Sequence, residues 1–190
     1  ELVEQYGPKS AYWRAHPTDL DPQVSTAVQG NLLDLARHYH ALAQKSGAVA
    51  DRDAAVRWYR EYLDAFNSAP QAPATRLMLA DVLFDGGRFS EAAAEYELAA
   101  YSYAQAPEAG RAGYAALIAY DKAAALLPEA ERPALRLRAI DSSLRFASTF
   151  PNHAETPAVL ARTTKALFDA GDRDRAEAVA NQVLALRPRA

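Results

Sequence analysis

Residues 73–103 read PATRLMLADVLFDGGRFSEAAAEYELAAYSY. Leu79, Ala80 and Leu83 fall at helical spacing, and so do Ala92, Tyr96 and Ala99 beyond Gly86-Gly87. The stretch therefore reads as two amphipathic helices joined by a tight turn that the glycines make accessible. Pro73 stands where the first helix begins. Its missing N–H costs nothing there, because that amide would have no intrahelical acceptor.

Working outward, the last part of the chain repeats this layout without a gap. Pro157 matches Pro73, Gly171 matches Gly87 and Ala176 matches Ala92. Leu160, Leu167, Ala176 and Val183 mark its apolar face, and Pro188 ends it. Upstream, Asp21-Pro22 opens a long helix carrying Leu32, Leu35, Ala36, Tyr39 and Ala43 to about Lys45, with Gly47 as its stop. Asp51 is expected to cap the next helix, which carries Ala55, Tyr59, Tyr62 and Phe66. Pro107 is expected to open a helix with Tyr114, Leu117 and Tyr120. Its partner starts near Pro133 and turns Leu137, Ile140, Leu144 and Phe150 inward.

The expected fold is all-α: an antiparallel helix-hairpin solenoid of about four repeats, residues 21–68, 71–104, 107–151 and 156–188. Residues 1–20 form a flank. Leu2, Val3 and Tyr6 read as the end of a helix that begins outside the sequence. Tyr12 and Trp13 read as a cap on the array, and Pro17 interrupts the helix pattern after them.

Composition bounds the function. Half of the 190 residues are hydrophobic, many of them alanine, the best helix former. The net charge of −3 gives no general attraction to nucleic acid or an anionic membrane. There is no cysteine, which removes disulfides, thiol nucleophiles and thiolate metal sites together. No run approaches the ~20 apolar residues of a membrane span.

The residues that invite a chemistry each have a plainer reading. His38 and His40 lie about 200° apart around a helix and cannot share a metal. His16 and His153 read as turn residues without partners. Asp51-Arg52-Asp53 and Asp172-Arg173-Asp174-Arg175 sit at helix starts, where aspartate caps free amides. Gly86-Gly87 follows no strand and lacks the Lys-Ser/Thr of a phosphate loop. Trp58, Tyr59 and Tyr62, like Tyr96, Tyr101 and Tyr103, read as packing, with Trp58 the exception off the main stripe. No nucleophile with a base can be argued from spacing. No catalytic residue, metal ligand or cofactor is assigned.

Leu79-Ala80, Leu83, Gly87, Ala92, Tyr96 and Ala99 resemble the tetratricopeptide repeat, a hairpin of about 34 residues. Leu167, Gly171-Asp172, Ala176 and Pro188 do so in the last copy, and Leu35-Ala36, Tyr39, Ala55, Tyr59 and Tyr62 in the first. The residues 59–66 and 150–153 are further similar to bacterial envelope repeat proteins of the Tol-Pal accessory and outer-membrane assembly lipoprotein type. That similarity implies a periplasmic or envelope location, with the cytoplasm as the alternative.

The family resemblance implies a non-catalytic scaffold whose concave groove, lined by the first helix of each pair, holds a segment of a protein partner. The groove residues it implies are Asp34, Arg37 and His40, then Met78, Asp81 and Asp85, then Arg111 and Tyr114, then Arg162 and Lys165. Leu33, Leu77, Ile118, Asp121, Lys122, Ala161 and Asp169 are also projected into it. Chaperone-binding members clamp a carboxylate with Lys and Asn, whereas Leu33 and Arg37 stand here, which argues against that ligand. An open face at Leu184 and Leu186 is expected to meet a further repeat or a second copy. The competing expectation is a helical domain that binds a glycan or small molecule, or that serves an enzyme as an accessory subunit.

Overall fold

The computed structural model describes residues 2–16 and 21–186, and every regular element among them is helical. In order these are α1 Leu2–Tyr6, α2 Ala11–Ala15, α3 Pro22–Ser46, α4 Val49–Phe66, α5 Ala72–Asp85, α6 Phe89–Tyr101, α7 Ala109–Leu126, α8 Arg132–Thr149, α9 Thr156–Asp169 and α10 Arg173–Leu186. A short 3-10 turn, Glu129–Glu131, precedes α8. The chain divides into two units. The first runs to Glu95 and the second starts at Tyr96, within α6. Pro17, Pro188 and the Leu186 side chain lie outside the described residues.

In the first unit α3 packs along α4, α4 packs on α5, and α1 lies against α3. Asp21 caps α3 by accepting from the Gln23 amide at 2.7 Å, with Pro22 at the first helical position. Gly47 ends the helix at φ 68°, a left-handed conformation in which a Cβ would be strained. α4 then begins at Val49, two residues before the expected cap. Asp51 is a first-turn residue whose carboxylate accepts from the Ser46 hydroxyl at 2.9 Å.

Val28, Leu32, Ala36, Ala55, Tyr59, Tyr62, Leu79, Ala80 and Leu83 are all fully enclosed. Leu33 and Leu77, projected into a groove, are instead buried at 6% and 5% exposure. Enclosing a leucine stabilises by roughly 1.5–3 kcal/mol, so residues flanking the apolar stripe are drawn under neighbouring helices. Trp13 does cap this unit, edge-on to Phe66 at 5.5 Å. Tyr12 meets Tyr6 edge-on at 5.1 Å and stacks on His16 at 4.4 Å, and His16 Nδ1 lies 2.9 Å from the Tyr12 carbonyl. His16 is thus a partnered turn residue.

In the second unit α7 packs on α8, α8 on α9, and α9 on α10. One apolar cluster joins Ile140, Ala147, Leu160, Leu167, Ala176 and Val179. Another joins Leu117, Phe146 and Val159, with Tyr114 and Phe150 against it. Leu137, expected to point inward, is 55% exposed. Helical spacing names the apolar stripe but not which part of it a neighbouring helix covers. Leu184 is 61% exposed.

Two local geometries recur. The turn after α5 is closed by amides of Gly86, Gly87 and Arg88 donating to Val82, Phe84 and Leu83. The turn after α9 is closed by Ala170, Gly171 and Asp172 donating to Ala166, Phe168 and Leu167. Gly87 and Gly171 hold φ of 74° and 82° in the two turns.

The second geometry is the corner leading into α5, α7 and α9. Ala69 donates to Phe66, Ala72 to Ala69 and Thr75 to Gln71. The same three bonds run Ala106 to Tyr103, Ala109 to Ala106 and Ala112 to Glu108. They run again as His153 to Phe150, Thr156 to His153 and Val159 to Glu155. The heptapeptides 66–72, 103–109 and 150–156 thus form one corner, at intervals of 37 and 47 residues. Pro107 is therefore the counterpart of Pro70 in the corner, not of Pro73 at the helix start, and α7 opens two residues later at Ala109.

Candidate functional site

Of the six first-unit residues Asp34, Arg37, His40, Met78, Asp81 and Asp85, five bear on Tyr59 or His40. Tyr59 has no exposed surface, yet its hydroxyl bridges two helices. It donates to Met78 Sδ of α5 at 3.6 Å. His40 Nδ1 of α3 lies 3.2 Å away on the other side. With the hydroxyl proton given to sulfur, His40 is assigned as the Nδ1–H donor. Its Nε2 then accepts from Gln44 Nε2 at 3.2 Å.

Burial pushes Tyr59 up to about 12, helped by the Asp81 charge and opposed by Arg37. Burial also holds His40 below the usual imidazole range, while the carboxylates of Asp85 and Asp81 pull the other way. Arg37 and Asp85 are exposed, and Met78 and Asp81 are half-buried. The sixth residue, Asp34, is exposed on α3. This patch is a neutral histidine held between a buried phenol and two acids. It is polar, and acidic toward α5.

In the second unit the projected residues separate. Arg111 is exposed and pairs with Glu108 at 2.9 Å. Tyr114 packs against Phe146 and His153, with ring centroids 6.1 and 6.0 Å away. His153, read as unpartnered, lies 5.1 Å from the Phe146 ring, and its Nδ1 accepts from the Glu155 amide at 3.2 Å. Lys165 is paired with Asp169 at 2.5 Å.

Arg162 lines a cavity, and so do Asp121 and Asp169. A trough of about 710 Å³ opens where α7, α8 and α9 converge. Leu117, Leu137, Ile140 and Val159 give it an apolar floor, and Asp121, Arg136, Arg162 and Asp169 lie along it. The volume is that of a ligand-sized cleft. Most of its α8 wall escaped the sequence reading, which took only the first helix of each pair as groove-lining. The signal available was Arg136 next to Leu137, a charge beside an apolar residue on a helix otherwise read as core.

A second buried polar group lies apart from the trough. Ser142 and Tyr120 donate to the two carboxylate oxygens of Glu97 at 2.5 and 3.2 Å. The Arg145 guanidinium sits 3.8 Å over the Tyr101 ring. Burial, then the Glu97 charge, pushes both Tyr101 and Tyr120 up to about 12. This arrangement ties α6, α7 and α8 together. Trp58 is half-buried in the first unit, with Arg57 4.2 Å over its ring.

Among the described residues no group of three or more His, Asp or Glu could hold a metal ion, and no helix is long and apolar enough to cross a membrane. The chain matches no family model and no curated protein.

Proposed function

We propose that the chain is a helical-repeat interaction scaffold, of about four tetratricopeptide-like hairpins, that holds a segment of a protein partner. The recurring corner and the recurring glycine turn support the repeat reading, because the same main-chain bonds return at each. The observation that carries the binding reading is the second unit's trough: an apolar floor with Leu137 more than half exposed and charges of both signs beside it. Such a surface suits a side chain from a partner more than a reacting group. The similarity of 59–66 and 150–153 to envelope repeat proteins supports a periplasmic scaffold. The exposed Leu184 supports self-association of the last hairpin.

The trough's volume also favours a second reading, a small ligand bound in place of a peptide. Capture with in-cell crosslinking, followed by rebinding of the purified partner, separates the two. The scaffold reading expects one partner whose short fragments retain affinity, and an Arg162→Glu, Lys165→Glu variant that loses it. Retention by the variant moves the binding surface elsewhere. No bound protein, together with thermal stabilisation by members of a small-molecule panel, favours the second reading.

A further inference from the structure

We infer that the trough between α7, α8 and α9 takes an acidic, aliphatic peptide segment, with its leucine-like side chain on the floor and its carboxylates against Arg136 and Arg162. This rests on the scaffold reading and names the partner chemistry of that site.

The floor is spent of hydrogen bonds. Ser143 donates to the Ala139 carbonyl at 2.7 Å and Thr163 to the Val159 carbonyl at 2.8 Å, each within its own helix. What remains facing the space is hydrocarbon from Leu117, Leu137, Ile140 and Val159. A polar occupant would lose its water there and find only the acceptor side of two hydroxyls that already donate, so the part that enters is aliphatic. Leu137, more than half exposed, is already at the mouth and gains from being covered.

The charges decide what flanks that side chain. Asp169 is matched by Lys165 at 2.5 Å, one turn away on α9. The two arginines are held loosely. Arg162 stands 3.9 Å from Asp121, and Arg136 stands 3.8 Å from Glu129, with both guanidinium side chains more than half exposed. Pairs this long and this exposed contribute little, so a closer carboxylate displaces them at small cost. Arginine presents a planar fork that takes a carboxylate in two parallel hydrogen bonds. The chemistry along the trough is thus hydrocarbon beneath two loosely held guanidinium groups, with Asp121 the carboxylate that an incoming acid replaces on Arg162.

The test uses the full chain and three capped tetrapeptides, each followed by backbone amide resonances. One has two central leucines between glutamates, one has the leucines between lysines, and one has two serines between glutamates. Dodecanoate is run beside them. The expected result is saturable binding of the glutamate–leucine peptide, with shifts at Leu137, Ile140, Val159 and Arg162. Affinity should be at least tenfold weaker for each of the other two peptides. An Arg136→Glu, Arg162→Glu variant should lose at least tenfold for the glutamate–leucine peptide and gain for the lysine–leucine one. Leu137→Ser, exposed enough to leave the fold intact, should weaken both.

Equal binding of the lysine–leucine and glutamate–leucine peptides overturns the acidic preference and leaves the scaffold reading standing. Shifts that map away from the trough overturn the site. Binding of dodecanoate in the trough, with no peptide bound, overturns both and leaves the small-ligand reading. Binding of nothing overturns both the inference and the peptide reading of this trough.

Discussion

Gly113 of α7 lies so close to Phe146 of α8 that a Cβ built on it would stand 2.9 Å from the Phe146 ring and 3.1 Å from Phe150. The absence of a side chain at one residue sets how near these two helices come. Phe146 has no exposed surface and cannot swing outward without opening the cluster with Leu117 and Val159.

Gly113→Ala should therefore destabilise the chain by about 1–3 kcal/mol, the usual cost of overpacking a filled core. Chemical denaturation measures it. Gly110→Ala is the milder control, since the closest atom its Cβ would meet is on the His153 ring edge, at 3.1 Å. If the two cost the same, the close approach at Gly113 is not what matters.

Gly30 is the converse case. It is exposed inside α3, and a Cβ there would meet nothing within 4 Å. Gly30→Ala should raise stability by about 0.5–1 kcal/mol, because alanine loses less backbone freedom on folding. A rise in the unfolding midpoint with unchanged denaturant slope is the expected reading.

His40 makes stability depend on pH. Burial lowers its folded pKa below its unfolded value of about 6.5. Below that value the unfolded chain binds the proton more readily, so stability should fall as pH drops from about 7 and level off once the folded imidazole is also charged. Asp85→Asn removes a charge that holds the folded pKa up. Imidazole resonances should then titrate at still lower pH, and the fall should reach further down. A His40 that titrates at or above its unfolded value contradicts this.

Glu91 acts at lower pH. Arg88 grips its carboxylate with two bonds of 2.8 and 2.7 Å, burial opposes this, and Arg60 adds a third bond at 2.8 Å. The carboxyl is held down to about 2. A depressed acid stabilises above its unfolded pKa of about 4.3 and loses that contribution as pH falls toward 2. The Glu91 side chain is 47% exposed, so solvent and salt screening keep the contribution to about 1 kcal/mol at most. Arg88→Ala should cost that amount at neutral pH and low salt, and progressively less toward pH 2. A cost independent of both pH and salt points to lost packing by the arginine stem.

What the sequence made legible was punctuation. Pro22, Pro73, Pro133 and Pro157 open helices because a residue without an amide hydrogen is tolerated only at the first turn. Pro107 misled because proline is equally at home in the preceding turn, and only the aromatic residue four positions earlier, Tyr103 like Phe66, tells the two apart. Helical spacing groups residues that share one helix face, as with Met78, Asp81 and Asp85 of α5. The candidate site was not legible at the trough. That space is set by how far α8 stands from α7 and α9, a distance fixed by packing between helices that helical spacing does not report.

The three corners share their main-chain bonds but only part of their side chains: Ala69-Pro70 returns as Ala106-Pro107, and His153-Ala154 stands in their place in the third. Asn67-Ser68, Ala104-Gln105 and Pro151-Asn152 occupy the same two positions. What all three have in common is the aromatic residue that begins the joint and the small residue that ends it. The same main-chain path is thus compatible with different letters in between, so likeness of shape can outlast likeness of sequence. A duplication or loss of one whole hairpin at such a joint rejoins the chain at geometry it already has, which makes the number of hairpins easier for evolution to change than the path between them.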